Sequence, residues 1–344
     1  MNILLIGGTG FISRHVVSQL RDAGHQLTVF HRGNSSVSEG VGDILGDRNR
    51  LPEFKDLLRQ KKFDLVIDMV LSSATQAQAL VETFRGLVSR VVVASSMDVY
   101  RAWGVFYGLE PGGLQAMPVN EESELRTNQI SYPPESLQRL RKIFSWVDDE
   151  YEKIAVEKTV LIDHELSGTV LRLPMVYGPG DPVHRFYFLL KRMDDGRQSI
   201  IFASDVAEMR TPRGYVENVA NAIVLAVTSE RAAGRIYNVC EPVAFSELEW
   251  AQKIASLRGW NGDFVVLPHD QTPSHLLMPG NTAQHLVVSS DRIRSELGYS
   301  ELLPLEETIT RTITWEREHP PADPMAQFDY PAEDDALLHF KAAS

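Results

Sequence analysis

The chain has 344 residues, room for two lobes or one large α/β unit, and its 43% hydrophobic and 23% charged residues are ordinary for a soluble globular enzyme. A formal net charge of −12 argues against a nucleic-acid binder, which would need a basic stripe, while a few placed arginines would still suffice for an anionic small molecule. One cysteine, Cys240, allows neither an internal disulfide nor a multi-thiolate zinc site. None of the ten histidines forms a His-x-x-x-His pair, so no metal site is expected, and His269, His275 and His285 read as loop histidines.

The N-terminus, MNILLIGG, has no basic segment and no cleavage site, so a signal peptide is not expected. No apolar run approaches the ~18 residues that span a bilayer, which with the lone thiol points to a cytoplasmic protein without a membrane partner. Residues 2–6 read as a buried strand, 10–23 as a helix stopped by Gly24, and 26–30 as a second strand. Strands follow at 41–45, 63–70 and 90–95, separated by helices at 51–60 and 74–87. Strands alternating with helices imply right-handed crossovers and a doubly wound parallel sheet.

Residues 101–146 break the rhythm with many glycines and prolines and read as a long insertion at the sheet end where such folds bind ligands. The alternation resumes with a long helix at 148–166, a strand at 168–173, helices at 186–196 and 215–228, and a strand at 235–239. Residues 1–180 thus read as a dinucleotide-binding domain. Residues 181–320 read as mainly a smaller substrate lobe with returning elements of the first domain, and 321–344 as a loosely held tail marked by Pro320, Pro321 and the acids 333–335.

The turn Gly7-Gly8-Thr9-Gly10-Phe11-Ile12-Ser13 lies between the first strand and the first helix. Gly7 and Gly8 permit a tight turn, Gly10 lets backbone approach a pyrophosphate, and the helix start offers free N–H groups to its charge. Ser13 stands where a third glycine is usual and is small enough to keep helix and strand close. The second strand ends Phe30-His31-Arg32-Gly33, without the acid that holds an NAD ribose. Arg32 suits a 2′-phosphate, so NADP is expected, with NAD as the alternative. Gly46-Asp47-Arg48 would border the adenine, with Asp47 accepting from its amino group.

Five blocks in order resemble the extended short-chain dehydrogenase/reductase family, which contains the sugar-nucleotide epimerases and dehydratases. They are residues 7–12, Ser95-Ser96-Met97-Asp98-Val99-Tyr100, residues 171–180 (LRLPMVYGPG), Gly214-Tyr215-Val216-Glu217-Asn218-Val219-Ala220, and residues 291–299 (DRIRSELGY). The resemblance implies a Rossmann-type domain with a small C-terminal substrate lobe. It makes Ser96 the serine that hydrogen-bonds the reacting oxygen. Pro174, Met175 and Val176 match the stretch that borders the nicotinamide.

The family's Tyr-x-x-x-Lys pair is altered. The segment reads Asp148-Asp149-Glu150-Tyr151-Glu152-Lys153, with Tyr151 and Lys153 two residues apart. On a regular helix residues four apart share a face and residues two apart do not. Aligning Val156-Glu157 puts Lys153 on the lysine position and Asp149 on the tyrosine position. Aligning Tyr151 puts Ala155 where lysine belongs, and Tyr151 serves only if the helix begins late. Lys153, Asp149 and Tyr151 are therefore all carried as catalytic candidates.

For the substrate, a small molecule such as a sugar nucleotide, Arg210 or Arg213 would bind a diphosphate, and His184 and Arg185 would reach the same cleft. The resemblance implies an NAD(P)-dependent oxidoreductase or isomerase. The competing expectation is a dinucleotide-binding regulatory protein without redox chemistry. In this family the catalytic helix often builds a homodimer, which Glu152, Glu157 and Lys158 allow but do not compel.

Overall fold

A computed structural model describes residues 1–324 and 328–343. Among the described residues there are eleven strands: β1 (Asn2–Ile6), β2 (Gln26–His31), β3 (Gly42–Leu45), β4 (Leu65–Asp68), β5 (Arg90–Ser96), β6 (Ser167–Leu173), β7 (Met175–Tyr177), β8 (Ser199–Ala203), β9 (Arg213–Tyr215), β10 (Ile236–Asn238) and β11 (Asp263–Leu267). Seven form one parallel sheet in the order β10-β6-β5-β4-β1-β2-β3. The order reverses beside β1, and sheets of this kind bind ligands outside the strand ends at such a point.

Strand alternation splits the core in two. Ile3, Leu5, Val29 and Ile67 face helices Ser13–Asp22 and Val216–Thr228. Leu4, Ile6, Val66 and Val93 face helices Ala74–Phe84 and Lys153–Leu161. Strands buried on both faces read as continuous apolar runs for this reason. The parallel pairs β8–β11 and β7–β9, with helix Glu247–Arg258, build the smaller lobe. β7, β8 and β9 were not expected from the sequence. All three are short and pair only with strands distant along the chain.

The 101–146 insertion is ordered. Trp103, Phe106 and Val119 join Met97, Ile154 and Leu286 in a cluster between the sheet and the smaller lobe. The long helix expected at 148–166 is shorter, Lys153–Leu161, with an irregular approach before it. The loosely held tail is also corrected. Residues Tyr330–Ala343 form a helix, and Glu333 is fully buried in a fork with Arg192 (2.5 and 3.2 Å) beside His275 at 3.1 Å. Paired charge allows the acid to sit inside. Residues 325–327 and 344 of that expected tail lie outside the described residues.

Candidate active site

The glycine turn leaves a cradle that side chains would fill. Gly7 has φ +80°, and a Cβ there would sit 2.5 Å from Val70 Cγ1, while one on Gly8 would sit 2.7 Å from Val29 Cγ2. A Cβ on Gly10 would approach only Ser13 Oγ (3.1 Å) and Gly7 O (3.8 Å), so its outer face is open. Ser13 does more than replace a glycine. Its hydroxyl donates to Gly7 O at 2.6 Å and accepts from Gly10 N at 3.0 Å, which locks the turn. Thr9 lines an adjoining cavity of about 280 Å³, shared with Arg14, Ser35, Ser36 and Ser38. Phe11 and Ile12 pack on the core and aim the helix start. These features fit a dinucleotide pyrophosphate.

Across the switch point, β5 ends in Ser96, whose Oγ accepts from Asp98 N at 3.2 Å in the short turn Met97–Val99. Tyr151 arrives beside it. The Tyr151 hydroxyl donates to Asp98 Oδ2 at 2.8 Å and also pairs with Ser96. Tyr132 donates to the same oxygen at 2.8 Å. Burial, and then the Asp98 charge, hold both phenols well above the usual tyrosine range. Lys153 is 2% exposed and donates to the carbonyls of Leu71, in the loop after β4, and of Ala94, near the end of β5. Burial lowers it to about 8. The Trp146 ring covers its ammonium at 5.0 Å.

The acidic run explains how Tyr151 and Lys153 both arrive. Asp148 accepts from the hydroxyls of Ser72 (3.1 Å) and Ser73 (2.8 Å), and Glu150 from Thr75 at 2.9 Å, at the start of helix Ala74–Phe84. Glu152, extended at φ −157°, caps its own helix by accepting from Ile154 N (2.9 Å) and Ala155 N (2.6 Å). Carboxylates favour helix starts. The helix therefore begins at Lys153, Tyr151 precedes it, and the same-face rule for residues four apart does not govern the pair.

Several expected residues go elsewhere. Asp149 is 85% exposed and pairs with Arg141, which removes it as a proton-transfer group. Asp47 is exposed and caps the following turn, accepting from Asn49 N at 2.9 Å. Arg48 is not presented to an adenine. It is buried and bonded to Asp68 (2.8 Å) and Gln76 O (3.0 Å), tying β4 to its helix. Arg32 is exposed at the end of β2 and donates to Ser145 at 2.8 Å, from the segment that leads to Tyr151. Pro174 packs over Gly214, and Val176 is buried in β7.

On the substrate side, Arg210 is occupied by Ala244 O (2.7 Å) and Glu249 (2.9 Å). His184 pairs with Glu316 at 2.7 Å and stacks on Trp315, away from the cleft. Arg213 instead lines a cavity of about 340 Å³ with Arg185, Phe202, Trp250 and Met278. Its guanidinium lies 4.8 Å from the Trp250 ring centre and bonds Glu247 at 2.5 Å, while its Nε is buried without a hydrogen-bond partner among the described residues. Arg185 donates to Val176 O at 2.7 Å, so this cavity adjoins the stretch after β6. Sequence reasoning did not single out Arg14, which lines the cavity beside Thr9, nor Tyr132 and Asp98, which bond each other next to Tyr151. Arg14 was within reach, because it directly follows Ser13 on the first turn of the helix.

The profile of the NAD dependent epimerase/dehydratase family matches residues 3–102 and 150–240, leaving out the insertion. The chain is 25% identical over 254 residues to the chloroplast stem-loop binding protein of 41 kDa b from Arabidopsis thaliana, spanning 69% of this chain and 58% of that protein. It is 22% identical over 347 residues to the UDP-glucose 4-epimerase of Lactobacillus helveticus, spanning 93% and 98%. Among solved structures, MoeE5 in complex with UDP-glucose and NAD superposes with a TM-score of 0.66 at 22% identity, covering 92% of this chain and 99% of that one. The UDP-glucuronic acid 4-epimerase from Bacillus cereus, in complex with UDP-glucuronic acid and NAD, gives 0.66 at 15% identity over 92% and 99%. These structural likenesses establish the fold.

Proposed function

Because the chain belongs to the NAD dependent epimerase/dehydratase family, we propose that it binds NADP(H) in preference to NAD and acts on a carbinol or carbonyl carbon of a sugar nucleotide. The bound dinucleotide supplies the hydride acceptor or donor. Gly7, Gly8, Thr9 and Gly10 would hold its pyrophosphate, Pro174 and Val176 would border its nicotinamide, and Lys153 would donate to the nicotinamide ribose. Arg32 and the exposed hydroxyls of Ser35 and Ser36 would take a 2′-phosphate. Ser96 would hydrogen-bond the reacting oxygen and Tyr151 would exchange its proton. Arg213, which lines the cavity of about 340 Å³, would bind the substrate diphosphate.

One observation supports this reading: with a late helix start, Tyr151 bonds Ser96 and Asp98 while the Lys153 ammonium lies 5.7 Å from its ring centre. The test measures NADP and NAD binding side by side by calorimetry, then follows reduced-nicotinamide absorbance with UDP-glucose and a carbonyl panel. Tighter binding of NADP and a substrate-dependent absorbance change are expected. Failure to bind either dinucleotide contradicts it.

A second reading, dinucleotide binding without redox chemistry, draws on Lys153, which is bonded to main-chain carbonyls and covered by Trp146. Bound NADPH that no carbonyl compound oxidises would favour it. Pairing of two chains through helix Lys153–Leu161, next to Ile162, which is 74% exposed, completes the proposal and is checked by sedimentation.

A further inference from the structure

In the site as read above, a carboxylate stands directly behind the phenol that exchanges the substrate's proton. Asp98 is 1% exposed. Its Oδ2 accepts from Tyr151 and Tyr132, each at 2.8 Å, and its Oδ1 is buried with no hydrogen-bond partner among the described residues. A carboxylate oxygen left without a partner in the interior is costly unless the group has work to do, and a proton taken up on Oδ2 removes the charge that makes it so. The backbone around Asp98 is fixed from two sides: its N–H rests on Ser96 Oγ at 3.2 Å, and its carbonyl accepts from Arg126 Nε at 2.5 Å. Arg126 in turn bonds Glu152, the cap that starts the helix after Tyr151.

A tyrosine that acts alone as a base must lose its proton easily, and a nearby ammonium ordinarily helps it do so. Lys153 is bonded to Leu71 O and Ala94 O, and it lies 5.7 Å from the centre of the Tyr151 ring. The nearest charge to the phenol oxygen is negative. Tyr151 therefore rests protonated, with its hydrogen pointing at Asp98.

We propose that Asp98 is the proton reservoir behind Tyr151, a positioning residue through which every proton of the reaction enters and leaves. In the oxidising direction the substrate O–H bond breaks and its proton bonds to the Tyr151 oxygen, while the Tyr151 proton passes to Asp98 Oδ2. The carbinol C–H pair leaves as hydride to the oxidised dinucleotide, the C=O bond forms, and Asp98 ends as a carboxylic acid. Reduction reverses each transfer. The charged and titratable groups facing Asp98 are Lys153 and Arg126, with the phenols of Tyr107, Tyr132 and Tyr151. Tyr132, on the same oxygen, holds the carboxylate in line.

The inference rests on the dinucleotide-dependent reading, and its test separates the two. Protein labelled with ¹³C-tyrosine is titrated without cofactor, with Tyr151→Phe to assign the signal, in the parent and in Asp98→Asn, which keeps the size and an acceptor oxygen. Tyr151 should ionise at lower pH in Asp98→Asn. With NADP and UDP-glucose, kcat should fall at least 100-fold and its acid limb should vanish, while the NADP Kd changes less than threefold. Turnover within threefold of the parent with the same pH profile overturns the proposal, as does an unmoved Tyr151 titration. If Asp98→Asn does not fold, Asp98→Glu serves: it should restore turnover with a displaced acid limb, and an unmoved limb overturns the proposal. A parent that binds no dinucleotide sinks the functional reading, whereas the cofactor-free titration judges the Asp98–Tyr151 coupling alone.

Discussion

The glycine turn follows β1 and the Tyr151–Lys153 segment reaches the carbonyls of Leu71 and Ala94, and the two are built by different kinds of information. The turn is local. Gly7, Gly10 and Ser13 set one another's positions within seven residues, through a positive φ and two short hydrogen bonds. The Tyr151–Lys153 segment takes its shape from afar. Ser72, Ser73 and Thr75, about 75 residues earlier in the chain, draw the carboxylates of Asp148 and Glu150 away from a helix. One half of the site is a motif and the other is a consequence of packing.

This comparison can be broken by substitution. The largest effect is expected at Tyr151→Phe, which removes the proton carrier and leaves the ring in place. Turnover should fall by about 10²–10⁴-fold with dinucleotide Kd unchanged, as measured by steady-state kinetics and calorimetry. Gly7→Ala should follow. It adds a Cβ 2.5 Å from Val70 at a positive φ, costing about 1–3 kcal/mol of stability and most of the dinucleotide affinity, seen as a lowered Tm that NADP no longer raises.

Lys153→Met should weaken dinucleotide binding by roughly tenfold, the size of one charge-assisted hydrogen bond. Lys153 titrates near 8, so its ammonium is present below that pH and lost above it. Parental affinity should therefore fall as pH rises through about 8, and the variant should lose that dependence. Arg32→Ala should cost a few-fold to roughly tenfold in NADP affinity and leave NAD binding unchanged, since only the 2′-phosphate needs it. Asp149→Ala should do least, with Tm, Kd and turnover all near the parent, because an exposed ion pair contributes about 0–1 kcal/mol.

What could be read from the residues follows the same division. The sheet was legible because strands covered on both faces are apolar throughout, and helices with one packed face carry a 3.6-residue period. The cradle was legible because its chemistry and spacing are contiguous. The choice between Tyr151 and Asp149 was not, because an acidic run reads equally as a solvated helix face or as a set of caps. Only the serines it meets decide between them. Arg48, Arg210 and Arg213 were indistinguishable as free cations until their carboxylate partners were placed. Glu333 read as part of an acidic tail, and its burial depends on Arg192, 141 residues earlier.

The most direct measurement is a crystal structure of the protein with NADP, asking which side chains flank the nicotinamide ribose. Tyr151 and Lys153 should both stand there, with the helix still beginning at Lys153 and the pyrophosphate over Gly10. A helix extended back to residue 148 with Asp149 against the ribose, or a glycine turn that holds no phosphate, would contradict the account.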